Sequence, residues 1–284
     1  MSSDWEAFPR DDDGLLCEGV SLSLIAREAG TPAFVYSAGA IRQQYGKLRD
    51  ALKSTDARLH YSVKANSSIA ILSLLREMGA GLDIVSGGEL YRALQAGFAG
   101  ADIVFSGVGK TEREVDVAHF GKVIGALVGG SGLKILLEPG RFLVGNAGVL
   151  LTRVLYRKRS GGKEFIITDA GMTDLLRPSH YNAFHRIEAV EPNGRTTVAD
   201  VVGPICESGD FLALDRQIDD AQPGDLLAVQ SAGAYGYVMS SNYNSRPRSP
   251  EVLVDGDKFA VVTQRESYAD LVQNEIQRPE WRKA

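Results

Sequence analysis

Cysteine is nearly absent from this sequence: Cys17 and Cys206 are the only two in 284 residues, far apart and in unrelated contexts. A disulfide-built scaffold is thereby excluded, and a reducing compartment is implied. No apolar run approaches the length of a membrane span, so no membrane partner is expected. There is no basic run either, and the net charge of -5 gives nucleic acid or an anionic membrane no electrostatic footprint. The four histidines lack metal-ligand spacing, so no metal is expected, and no Ser/His/Asp arrangement sits on a nucleophile elbow. The opening stretch "MSSDWEAFPRDDDG" is acidic where a secretion signal is basic and then apolar. A cytoplasmic protein is the expectation.

With 44% hydrophobic and 24% charged residues, the chain reads as a globular protein long enough for two domains. Its organising stretch is "RLHYSVKAN" at 58 to 66. Leu59, Tyr61 and Val63 alternate with His60, Ser62 and Lys64, the period of a two-faced strand that ends in a lysine. In α/β barrels the C-terminal ends of strands carry the chemistry. An amine desolvated there loses its proton and attacks carbonyls, although a lone strand-end lysine is more often a solvated surface group.

Around this stretch runs an α/β rhythm. Ser21 caps a helix that stops at Gly30, and "PAFVY" at 32 to 36 opens a series of strands and helices. The helix Ser37 to Leu52, the lysine strand, the helix Ser67 to Met78, the strand "GLDIV", the helix Glu89 to Ala96 and the strand "DIVFS" follow. Four βα units in series imply a parallel sheet, open or on its way to closure. The rhythm falters near Ala118, and "LKILLEPGR" supplies one more strand. After Arg141 short alternating segments between Gly and Pro turns describe an antiparallel β domain, and "LVQNEIQRPEWRKA" ends the chain as a short helix and a charged tail.

Individual motifs differ in weight. "SGVGKT" at 106 to 111 lacks the first glycine of a P-loop, since position 104 is Val, and a turn with Thr111 as helix cap accounts for it. "VSGGEL" at 85 to 90 is a glycine turn at a helix N-terminus, a weak anion signal by itself. "EPGR" places Glu138 and Arg141 at the end of a parallel strand, on the rim of Lys64, where a carboxylate and a guanidinium could serve a ring nitrogen and an anion. "GPICESGD" sets Cys206 beside Glu207, a proton donor next to an amine-binding carboxylate or else inert packing. "SAGAYGYVMSSNYN" carries Tyr235 and Tyr237, by default aromatic core.

Together "YSVKAN", "GLDIVSGGEL", "SGVGKTEREV", "LLEPGR", "DAGMTDLLRPSHYNA", "GPICESGD" and "GAYGYVMSSNYNSRPR" span nearly the whole chain in order. The set resembles the diaminopimelate decarboxylases, pyridoxal-phosphate enzymes of the alanine-racemase-like fold related to the ornithine and arginine decarboxylases. The resemblance implies a (β/α)8 TIM-type barrel followed by an antiparallel β-barrel domain. It implies covalent attachment of pyridoxal 5'-phosphate to Lys64, a cofactor site including Asp83, Glu138, Gly140, Arg141 and Tyr235, and Glu138 facing the pyridine nitrogen. Substrate is implied to meet Arg141, Arg177, Tyr181, Glu207 and Tyr235, with Cys206 as the proton donor. In this family Cys206 and Glu207 are expected to reach the partner subunit's site, so a homodimer with shared active sites is implied.

The barrel part departs from the pattern. A closed eight-stranded barrel takes about 250 residues, whereas the barrel-like part runs only from Pro32 to Arg141. Roughly four βα units are absent near the 118/119 join, and with them the histidine that stacks on the ring and the glycine-rich phosphate loop that family members carry. An incomplete barrel with unpaired sheet edges is therefore expected. Domains are placed at 1–31 (packing with the β domain), 32–145 and 146–284. The chain is either a shortened product, one completed by another chain, or a rearranged protein. A non-catalytic relative acting in dimerisation or partner binding, and an ornithine- or arginine-type decarboxylase, are the competing readings.

Overall fold

A computed structural model describes residues 6–105, 121, 122, 126 and 135–275. The "SGVGKT" turn, the Thr111 cap, the 118/119 join and the charged tail from 276 lie outside the described residues.

Among the described residues, four parallel strands form the barrel-like part, in the spatial order Ile103–Phe105, Gly81–Ile84, Ala57–Ser62, Ile135–Leu137. Leu59 lies opposite Leu137, so the first strand of this sheet neighbours the last in sequence, the contact by which a barrel closes on itself. Among the described residues the sheet stays open, with Ile103–Phe105 and Ile135–Leu137 as its edges. Leu59 to Val63 are buried on both faces, because helices Ala38–Ala51 and Ile69–Glu77 pack into the same core.

One strand is not where the rhythm placed it. Ala33–Ser37, expected to begin the parallel series, belongs to the other sheet, antiparallel to Gly148–Ser160 and parallel to Glu251–Asp255. Its residues are buried without exception, which suits a central strand and hides the alternation that would have assigned it. Phe34 and Tyr36 face the main core, while Val35 faces a second cluster with Cys17, Leu22 and Ile25 beneath the N-terminal hairpin.

That second sheet has nine strands, antiparallel except where Lys163–Thr168 meets Thr196–Val202 and where Ala33–Ser37 meets Glu251–Asp255. Its strand Phe211–Asp219 pairs with Thr196–Val202 through two register shifts. The terminal helix begins earlier than its apolar residues suggest, at Tyr268–Val272, because Ser267 and Asp270 form a capping box.

Helix starts follow the serines. Ser21, Ser37 and Ser86 each accept a hydrogen bond from the backbone N–H three residues on. Gly30 and Gly79 end their helices with φ of 72° and 85°, a conformation glycine takes without strain.

Candidate active site

The lysine strand stops at Ser62, two residues earlier than its alternation predicts, and Val63–Ala65 form a single 3₁₀ turn. Lys64 is therefore on the turn beyond the strand end, exposed between buried Val63 and Ala65. The turn is held from below and from both sides. Ser62 Oγ donates to Asp83 Oδ2 at 2.8 Å, Ser62 N–H donates to the Pro139 carbonyl at 3.2 Å, and the Tyr61 hydroxyl donates to the Asn66 carbonyl at 2.9 Å.

Two distant segments close on this turn. Gly140 follows the strand Ile135–Leu137, and a Cβ added there would stand 3.1 Å from Ala65 Cβ, 3.2 Å from Ser62 Cβ and 3.6 Å from the Tyr235 hydroxyl. From the sheet domain, Tyr235 N–H donates to the Ala65 carbonyl at 2.8 Å. Tyr235 has φ of 56°, a left-handed conformation that is costly for a residue bearing a side chain.

Two guanidinium groups share the Tyr235 ring. Arg141 Cζ lies 4.8 Å from its centroid and Arg177 Cζ 5.6 Å, while Arg177 also lies 5.6 Å from the Tyr181 ring. Their field reaches His185, which burial first, and then Arg177, Arg141 and Arg216, push below the ordinary histidine range. Two cations beside an aromatic hydroxyl make a site for a carboxylate or phosphate. Glu138, partly buried, precedes this group by one turn of chain.

Asp83, Gly140, Arg141, Arg177, Tyr181 and Tyr235 are thus linked through contacts to one another or to Ser62 and Ala65, the residues flanking the Lys64 position. Cys206 and Glu207 belong to a different turn, and both are exposed. Asp210 ties that turn to the loop before helix Arg177–Tyr181, accepting from Met172 N–H at 2.7 Å and Ile205 N–H at 2.5 Å. Cys206 N–H donates to Asn244 Oδ1 at 3.3 Å. Two clefts of about 410 and 380 Å³ lie elsewhere among the described residues, and neither is lined by Lys64, Arg141 or Tyr235.

Sequence reasoning passed over Ser62 and Asn66 as site-building residues. The signal available was their polarity within an otherwise buried run around a strand-end lysine.

The residues fit pyridoxal 5'-phosphate in part. An exposed amine, a floor at Gly140 that a Cβ would fill, and two guanidinium groups are the donor set such a group takes. No glycine-rich phosphate loop like the family's occurs in the sequence.

Comparison with known proteins gives the lineage. The family model described as "Pyridoxal-dependent decarboxylase, C-terminal sheet domain" matches residues 33–233. A diaminopimelate decarboxylase of Aquifex aeolicus is 34% identical over 403 aligned positions, covering 92% of this chain and 96% of the relative. One of Pseudomonas fluorescens is 34% identical over 418 positions, covering 97% and 100%. The crystal structure of an Aquifex aeolicus protein superposes with a TM-score of 0.91 at 33% identity, covering 96% of this chain and 98% of that one. That of Helicobacter pylori diaminopimelate decarboxylase complexed with L-lysine gives 0.83 at 26% identity, covering 89% and 98%. Because 403 aligned positions exceed the 284 residues present, at least 119 of them (403 less 284) carry no residue of this chain. The matches extend to both ends of the relatives, so the missing positions are internal, as the short barrel requires. The chain belongs to the diaminopimelate decarboxylase family of pyridoxal-dependent decarboxylases.

Proposed function

We propose that this chain holds pyridoxal 5'-phosphate at Lys64 and decarboxylates meso-2,6-diaminopimelate to L-lysine and carbon dioxide, the last step of lysine biosynthesis. The observation that carries the reading is the convergence of three segments, ending in Lys64, Arg141 and Tyr235, around the Cβ-less floor at Gly140. Bound there, the cofactor supplies a sink for the electron pair left when carbon dioxide departs.

The chain's own groups do the rest. The Lys64 amine is the attachment point, and its exposure leaves it accessible to a carbonyl. Glu138 would keep the ring nitrogen protonated, while Asp83, anchored by Ser62, holds the strand end that presents the amine. Arg141 binds an anionic group of cofactor or substrate, and Arg177 with Tyr181 takes the carboxylate at the substrate's far end. That second anion site favours diaminopimelate over ornithine or arginine, whose far ends are cationic.

Cys206 and Glu207 are assigned to the neighbouring subunit's site, as proton donor and amine-binding carboxylate, which makes the working unit a homodimer in the cytoplasm. The same reading divides the chain at 31/32 and 145/146, with Ala33–Ser37 crossing over into the sheet domain. No helix among the described residues is long and apolar enough to cross a membrane.

The test is purified protein mixed with pyridoxal phosphate, reduced with borohydride and mapped. A stable adduct on Lys64, lost in Lys64→Ala, together with release of carbon dioxide and lysine from meso-diaminopimelate, is expected. Labelling scattered over surface lysines would favour a non-catalytic relative, and turnover of ornithine or arginine alone would move the substrate assignment.

A further inference from the structure

We infer that Asn66 is the positioning residue that sets the Lys64 amine against the guanidinium pair carried on Tyr235. The inference rests on the reading of Lys64 as the cofactor's attachment point. Asn66 is 3% exposed and lies two residues beyond the lysine. Its side-chain oxygen accepts from Ser68 N–H at 3.0 Å, which fixes the exit of the turn, and its Nδ2 donates to the Gly233 carbonyl at 3.1 Å. Its carbonyl accepts from the Tyr61 hydroxyl at 2.9 Å, and the neighbouring Ala65 carbonyl accepts from Tyr235 N–H at 2.8 Å.

The partner it grips is itself immovable. A Cβ on Gly233 would stand 2.9 Å from Gly148 N and far closer than contact to the Val144 carbonyl, and Gly233 N–H donates to the Gly145 carbonyl at 3.0 Å. Residues 144–148 continue directly from helix Arg141–Val144. The turn at 233–235 is therefore fixed to the arginine segment on one side and to the lysine turn on the other. Across the second junction Asn66 supplies a side-chain hydrogen bond to Gly233.

Asn66 thus ties the exit of the lysine turn, at Ser68, to the sheet-domain turn at Gly233. Leucine or alanine there would leave the Gly233 carbonyl buried without that donor and free the lysine turn to shift along the Tyr235 turn.

The consequence is specific to the phosphate. Arg141, read above as binding an anionic group, would favour pyridoxal phosphate over pyridoxal, whereas the amine reacts with the aldehyde of either. The experiment measures borohydride-trapped adduct on Lys64 against concentration, for both aldehydes, in the unsubstituted protein and in Asn66→Ala. The preference for the phosphate-bearing aldehyde is expected to fall about tenfold in Asn66→Ala, the effect of one lost buried hydrogen bond. Labelling by pyridoxal alone should stay within about twofold, and a general loss of fold would instead depress both aldehydes together. An unchanged preference, or equal loss for both aldehydes, overturns the positioning role and leaves the functional reading standing. Failure of the unsubstituted protein to label at Lys64 overturns that reading and the inference with it.

Discussion

Ser62 and Asp83 face each other across neighbouring parallel strands, and the 2.8 Å bond from the serine hydroxyl to the carboxylate lies two residues before Lys64. Both side chains are buried, 2% exposed each, so water cannot replace the bond when one partner is removed. Ser62→Ala takes a donor from a buried carboxylate and should destabilise the fold by about 1 to 3 kcal/mol. Urea denaturation of the variant gives the value. A change below a few tenths of a kcal/mol would mean that Asp83 is held well enough by its other contacts.

Gly140 is tested by adding the methyl group it lacks. A Cβ in Gly140→Ala would crowd Ala65 and Ser62. Overpacking of this kind costs about 1 to 3 kcal/mol. Because the crowded neighbour is Ala65, adduct formation at Lys64 should weaken alongside stability. A variant that melts lower but labels as the parent does would show that the floor is structural only.

Much of this was legible in the chain itself, and the exceptions have physical causes. The helices after Ser21 and Ser37 start where read because a serine side chain caps locally, and the helix read from Glu89 begins two residues earlier, at Gly87, because Ser86 caps it. Ala33–Ser37 was misassigned because its partners, Gly148–Ser160 and Glu251–Asp255, lie more than a hundred residues away, and no local pattern records them. Lys64 was readable as a strand-end amine, yet its turn was not, since Val63 continues the apolar alternation into a 3₁₀ turn. The joining of Arg141 and Arg177 on the Tyr235 ring required the left-handed conformation of Tyr235, which no residue type announces.

Acid should loosen the sheet domain through Glu266. Burial alone would raise its pKa, but Arg248, at 2.5 Å, and the Arg248 backbone N–H bring it from 4.5 down to about 2. A carboxylate depressed by folding stabilises fully above its unfolded value and ceases to do so as pH falls through the folded one. The contribution is therefore present above about 4.5 and lost towards about 2. Arg248→Met should be less stable than the parent near neutrality, and the gap should narrow over that window. Urea titrations at a series of pH values would reject the pairing if the gap stayed constant.

The two thiols are expected to behave oppositely, and the contrast bears on assembly. Burial, with Glu18 adding to it, pushes the Cys17 thiol far up, so it should stay inert until the chain unfolds. Cys206 is exposed in the single chain and should react at once with an aromatic disulfide reagent. If its turn docks into a partner subunit, the Cys206 rate must fall as protein concentration rises, while Cys17 remains silent throughout. Adding pyridoxal phosphate should slow Cys206 further by occupying the site it approaches. A rate independent of both concentration and cofactor would place Cys206 at free surface and remove it from the chemistry, whatever happens at Lys64.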